Sequence, residues 1–327
     1  MIDGKIIKFI NFAVVSHFEM NTIVFIIGLV ALLIGSFTDL KKREVPDWLN
    51  YGLIFTGLGL SLLFSIIYLD FWILLSSIIG LAAMFGLGSL MFYTGQWGGG
   101  DSKMIMGIGA LIGIPISWPL GEIMSSLEQN IPFLFGFILY TFIAGAVYGL
   151  GWSIGLAIRH RKGFVAELKF LLDSKRSIKR KIVKAMFIFL ILISLILFIS
   201  AKYIILKILP LGLSLMVILA YYLYFFIKAI EISSMIQHVE PEELTEGDWI
   251  NKDIVIDGKY ISGPKDLGIS KEQIKELIEL KEKGWLNDEK GRQRLIEIKV
   301  GIPFVPSFLV GYLLSYYIGV GWVVGLL

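Results

Sequence analysis

Long apolar runs separated by short polar or glycine-rich breaks set the pattern of this chain. A membrane-crossing helix needs roughly 20 mostly apolar residues. On that criterion the pattern predicts spans near 22–38, 50–69, 71–94, 103–116, 131–158, 184–200, 203–228 and 302–325. The expected fold is therefore an all-α polytopic membrane protein of about eight transmembrane helices. The fourth run is short, and Pro115 and Pro119 close its outer end. Residues 1–20 are apolar but broken by Lys5 and Lys8, which reads as an interfacial helix and not as a span.

One stretch follows a different pattern. Residues 229–300 hold 16 acidic and 11 basic residues, a local net charge of −5. Within it, the run from Asp253 to Ile261 predicts a hairpin turning at Asp257-Gly258. Ser270 followed by Gln273 resembles a capping box, opening a helix with Ile274, Leu277 and Ile278 on one face and Gly284 at its end. Ile296, Ile298 and Val300 alternate as a strand would. The expected organisation is a membrane-embedded core with an N-terminal interfacial segment over 1–228, a soluble cytoplasmic α+β insertion over 229–300, and a final transmembrane helix over 301–327.

Composition strengthens this picture. Of 327 residues, 56% are hydrophobic and only 17% charged, with a mean hydropathy of +0.77. Soluble domains carry about 25% charged residues, so a soluble enzyme or a nucleic-acid binder is excluded. There is no cysteine, which removes disulfides, thiolate nucleophiles and Cys-ligated zinc. His17, His160 and His238 are far apart and form no ligand-spaced pair, so neither a metal nor a cofactor is expected.

Charge sets the orientation. Ten basic residues lie between Arg159 and Lys184, and Lys41, Lys42 and Arg43 follow the first span. The intervening loops hold Asp70, or Glu122 and Glu128, and few basic residues. Basic loops stay in the cytoplasm, which places 40–49, 95–102 and 159–184 on that side. The basic cluster over 175–184 also suits anionic lipid, although topology alone accounts for it.

Carboxylates at the edge of a span are costly to keep there and point to function. Asp39 ends the first span and Asp101 opens the fourth, after Gly98-Gly99-Gly100, at one expected cytoplasmic depth. Two such carboxylates suit a hydrolase in which one takes a proton from water while its protonated partner polarises the scissile carbonyl. Gly98 and Gly100 can take positive φ and let a substrate backbone approach. The plainer alternative is a flexible turn with Asp101 as a helix cap. Asp47, beyond Pro46, would either receive a basic peptide or cap the helix that Trp48 begins. Lys103 would either neutralise charge near Asp101 or snorkel to the interface. Gly145-x-x-x-Gly149 and Gly151-x-x-x-Gly155 suit helix packing.

Three stretches carry a resemblance. Asp39-Leu-Lys-Lys-Arg-Glu-Val-Pro-Asp47-Trp-Leu-Asn50 is similar to the first-aspartate motif of the archaeal prepilin and preflagellin peptidases, which are Gly-x-Gly-Asp membrane aspartic peptidases. Gly98-Gly-Gly-Asp101-Ser-Lys103 resembles their second-aspartate motif. Leu244-Thr-Glu-Gly-Asp-Trp249, with Gly301-Ile-Pro-Phe-Val-Pro306, is similar to the C-terminal region of the longer archaeal members. The resemblance implies Asp39 and Asp101 as the catalytic pair, with Gly98, Gly100, Lys103 and Asp47 in support. It implies removal of a short basic leader from type IV pilin-like or archaellin precursors at the cytoplasmic membrane face, with membrane lipid and the precursor as partners and no nucleic acid. The Cys₄ zinc loop common in bacterial relatives has no counterpart here, which favours the archaeal, peptidase-only type.

Two other classes share some of these features. Intramembrane proteases of the presenilin or signal-peptide-peptidase kind also use Gly-x-Gly-Asp, but with the first Asp in a Tyr-Asp setting inside a span, where this chain has Thr38-Asp39 at a span's end. An ion-coupled transporter would keep its sites near the midplane of repeated halves, and no repeat is evident.

Overall fold

The structure, a computed structural model, describes residues 4–114, 133–173, 178–200, 203–284 and 295–318. The loop bearing Pro115, Pro119, Glu122 and Glu128, the pair Lys175-Arg176, and the last part of the final predicted span lie outside the described residues. The fold is mostly helical. In chain order the helices are α1 (Gly4–Lys42), α2 (Asp47–Tyr68), α3 (Phe71–Tyr93), α4 (Gly99–Ile112), α5 (Phe133–Arg159), α6 (Arg161–Asp173), α7 (Ile178–Ser200), α8 (Ile204–Ile230), α9 (Lys271–Glu282) and α10 (Val305–Ile318). Among the described residues, five helical stretches are long and apolar enough to cross a membrane: Thr22–Lys42, Asp47–Tyr68, Phe71–Tyr93, Phe133–Arg159 and Ile208–Met235. The chain is thus a multi-pass membrane protein by the length and composition of its helices. Two of the remaining predicted spans fall on shorter apolar helices, Phe187–Ile199 and Val305–Ile318. The helix expected over residues 1–20 and the first span share one continuous helix, α1, from Gly4 to Lys42.

The chain divides into two compact units. The first comprises residues 1–150, 265–270 and 301–327, and the second residues 151–264 and 271–300. In the first, α4 lies against both α2 and α3. Glycine makes that closeness possible. A Cβ on Gly57 of α2 would stand 2.6 Å from the Ala110 carbonyl carbon, and one on Gly80 of α3 would strike the Gly109 carbonyl oxygen. Such crossings of bare backbones are the usual way to join helices where the surroundings supply no hydrophobic drive. Ser77 donates to the Ala110 carbonyl and Ser102 to the Gly88 carbonyl, the latter at 3.0 Å, which fixes the register of α3 on α4. α4 ends at Gly113, whose φ of 72° and tight fit against Ser76 admit no side chain easily.

In the second unit, α7 and α8 are joined through Ser194, whose hydroxyl lies 2.7 Å from that of Ser214 and 3.0 Å from the Pro210 carbonyl. A π-helical turn over Glu231–Met235 leads into a small α+β body. Its three-stranded antiparallel sheet has the order β1-β5-β2, with β1 at Ile236–Val239, β2 at Trp249–Ile250 and β5 at Ile296–Lys299. The expected hairpin is present as β3 (Ile254–Ile256) and β4 (Lys259–Ser262). Asp257 and Gly258 both take positive φ, 49° and 76°, as a tight hairpin turn of this kind demands. α9 follows, and Gly284, at φ 75°, stands just beyond its end. Leu277, Ile296 and Ile298 are buried in the core of this body.

Candidate active site

The site is built where α1 crosses α4. Gly35 lies against Met104: a Cβ there would stand 2.6 Å from the methionine methyl. Asp39 is four residues beyond Gly35, and Asp101 three residues before Met104. At 1.5 Å per residue, the two carboxylates lie about 6 Å along α1 from Gly35 and about 4.5 Å along α4 from Met104. Their charges act on each other.

Asp39 is only 4% exposed. Its Oδ2 accepts the Val305 N–H at 2.9 Å, and the Phe304 backbone also bonds to it. Val305 opens α10, so the carboxylate at the end of one helix caps the start of another. Helix starts present free N–H groups that favour an acceptor. Asp39 therefore faces the negative end of α1 and the positive end of α10 together, and helix ends alone do not assign the proton of the pair.

Asp101 is partly buried at the third position of α4, and its Oδ2 accepts the Gly98 N–H at 3.0 Å. This is the carboxylate half of a capping box. Gly98 has φ −70° and ψ 165°, and Gly100 lies within the helix, so neither takes the positive φ expected of it. Gly95 does, at 69°, in the turn just before. Gly100 matters instead through its missing Cβ, which would stand 3.2 Å from the Val45 Cβ. Trp97 anchors the turn from below: it is buried, edge-on to Phe308 with ring centroids 5.1 Å apart, and 5.5 Å from Phe304.

Lys103 turns away from Asp101. Its Nζ is 2.7 Å from Asp47 Oδ1 and 5.2 Å from the centre of the Tyr51 ring. Asp47 is the first residue of α2 and forms this ion pair; Pro46 holds the N-cap position. Asp47 and Lys103 thus tie the start of α2 to the start of α4. Two residues that the sequence did not single out also converge here. Asn50 donates to the Gly100 carbonyl, and Tyr148 of α5 lies within electrostatic reach of Asp39. Gly145, one turn before Tyr148, packs against the Phe304 ring, whereas a Cβ on Gly149, Gly151 or Gly155 would meet nothing within 4 Å among the described residues. Among the described residues, no group of three or more His, Asp or Glu side chains is placed to hold a metal.

Residues 26–150 match the type IV leader peptidase family. Both aspartates and the glycine turn fall inside that stretch. The chain is 44% identical to the preflagellin peptidase of Methanocaldococcus jannaschii over 106 residues, 32% of this chain and 45% of that protein. It is 36% identical to the preflagellin peptidase of Methanococcus maripaludis over 127 residues, 38% of this chain and 53% of that protein. With the prepilin peptidase EppA of Methanothermobacter thermautotrophicus it shares 28% identity over 136 residues, 35% of each. The chain spans about half the length of the first two of these relatives. The resemblance carried by the two aspartate motifs is borne out by these matches.

Proposed function

We propose that this protein is an aspartic endopeptidase that removes the short basic leader from type IV pilin-like or archaellin precursors. The observation that carries the reading is the pairing of Asp39 with Asp101, two carboxylates on neighbouring helices whose charges interact, inside the stretch matching the leader peptidases. Two carboxylates that work as a pair share one proton. The ionised one takes a proton from water as the water oxygen bonds to the scissile carbonyl carbon. The protonated one gives its proton to the carbonyl oxygen, and a gem-diol results. The carboxyl that received the water proton then passes it to the amide nitrogen as the C–N bond breaks. A diol proton returns to its partner, and the pair is restored.

In this reading Gly98 leaves room beside Asp101 for an extended peptide, Gly100 lets Val45 pack against the start of α4, and the Asp47–Lys103 pair flanks the entrance. The site faces the cytoplasm, eight helices span the membrane, and residues 229–300 form an insertion ahead of the last span. Gln96 is exposed in the turn before Asp101, and the native chain has no cysteine. A cysteine at Gln96 is therefore expected to react with impermeant thiol reagents only from the cytoplasmic side; labelling from outside would overturn that placement.

The activity itself is tested by incubating detergent-purified protein with pilin-like and archaellin precursors and sequencing the product N-terminus. The expected product begins immediately after the basic leader. Intact precursors after prolonged incubation would overturn the reading.

A further inference from the structure

Asn50 lies in the first turn of α2 and is wholly buried. Its Nδ2 donates to the Gly100 carbonyl over a long 3.4 Å. Its Oδ1 is buried without a hydrogen-bond partner among the described residues. Buried amides ordinarily satisfy both ends, and an unmet acceptor in the interior is costly. An apolar side chain of similar volume would fill the space without that cost, so packing does not account for the residue.

Its location does. The Gly100 carbonyl belongs to the peptide that leads directly into Asp101, and within α4 that carbonyl already has the helical N–H four residues on. The amide therefore adds a second, off-axis hold on the one peptide plane that aims the Asp101 side chain. The same end of α2 meets α4 in two other places. Val45 against Gly100 is a steric contact, and Asp47 with Lys103 is an ion pair at the surface. Only the amide fixes a direction from inside.

We infer that Asn50 is a positioning residue for Asp101, holding the Gly100–Asp101 peptide so that the carboxylate stays in register with Asp39. Hydrogen bonds of this kind are often long in an empty site and tighten once substrate is bound. The inference rests on the peptidase reading. Because Asn50 acts through orientation, its loss falls on the chemical step and leaves peptide binding and the fold in place.

The test compares the full-length native protein with Asn50→Leu and Asn50→Ser, in detergent, on a precursor that the native protein cuts. Cleavage by the native protein secures the underlying reading first, and its absence would sink that reading independently of Asn50. The expected result is a kcat per folded molecule lowered by about 10- to 100-fold, as displacements on the order of 1 Å produce, with KM near the native value. Asn50→Leu is expected to unfold at or above the native temperature. A purely structural amide would instead lower thermal stability and activity together. The inference is overturned if kcat per folded molecule stays native in a variant that folds, if KM alone changes, or if neither variant folds.

Discussion

The two units of this chain treat charge in opposite ways. In the second, carboxylates lie toward the surface and meet cations: Lys281 bridges Glu240 and Glu242, and Glu297 receives Lys252 Nζ at 2.6 Å. In the first, Asp39 is buried and receives backbone N–H groups, and the charge nearest to Asp101 in effect is Asp39 itself. Exposed ion pairs contribute little to stability, about 0–1 kcal/mol, so the second unit could exchange them at small cost. Burying a carboxylate such as Asp39 is costly instead. The comparison separates carboxylates paired with cations at the surface from a carboxylate buried on backbone N–H groups, which is where chemistry is expected.

The contrast is broken most sharply at the aspartates. Asp39→Asn and Asp101→Asn each retain an acceptor for the N–H they cap, so the fold should survive. Cleavage should fall by at least about 10³-fold in either variant, since members of one catalytic unit fail together. A precursor-cleavage assay with thermal unfolding alongside separates lost chemistry from lost fold.

The next effect concerns the backbone crossing that carries Asp101. Gly80→Val drives a branched side chain into the Gly109 carbonyl and Gly113. It is expected to cost about 1–3 kcal/mol or more and to lower activity with stability. Ser194→Ala, which removes the α7–α8 hydroxyl contact in the second unit, is expected to cost about 0.6 kcal/mol and to leave kcat unchanged. Equal loss of activity in the two variants would erase the distinction between the units.

These residues also show what the chain made readable. The hairpin at Asp257-Gly258 was legible because its turn chemistry is local: two adjacent residues able to take positive φ between short apolar runs. The three-stranded sheet was legible only in β5, through the alternation of Ile296 and Ile298. β1 pairs with β5 from Ile236 opposite Lys299 to Val239 opposite Ile296, and β2 is only two residues long, so no local period announces β1 or β2. The same divide runs through the site. Asp39 and Asp101 stood out because carboxylates at span edges are conspicuous. The Val305 N–H on Asp39 and the Asn50 amide on Gly100 join residues 266 and 50 positions apart, and nothing in their neighbourhoods foretold them. Lys103 had two readings in the sequence, a neutralising charge near Asp101 or an interfacial lysine, and its ion pair with Asp47 was announced by neither.

Smaller effects sharpen the second unit. Lys252 holds the Glu297 carboxyl below the usual carboxylate range against its partial burial, with Asn251 adding a hydrogen bond. A group lowered in the folded state stabilises it above the unfolded value and loses that contribution as pH falls through the folded value. Glu297→Gln should therefore be slightly less stable than the native protein at neutral pH, by under about 1 kcal/mol given its exposed cation. The gap should close in acid, as read by unfolding midpoints across pH. Asp47→Asn, which opens the exposed pair with Lys103, should cost no more than this and leave cleavage measurable.

The central claim is that Asp39 and Asp101 act as one unit. The most direct measurement is kcat/KM for precursor cleavage by the native protein, by Asp39→Asn, by Asp101→Asn and by the double variant. A single unit gives one low floor shared by all three variants, with the double no slower than either single. Contradiction would be a single variant cutting within about tenfold of native, or losses that multiply in the double variant as those of independent groups do.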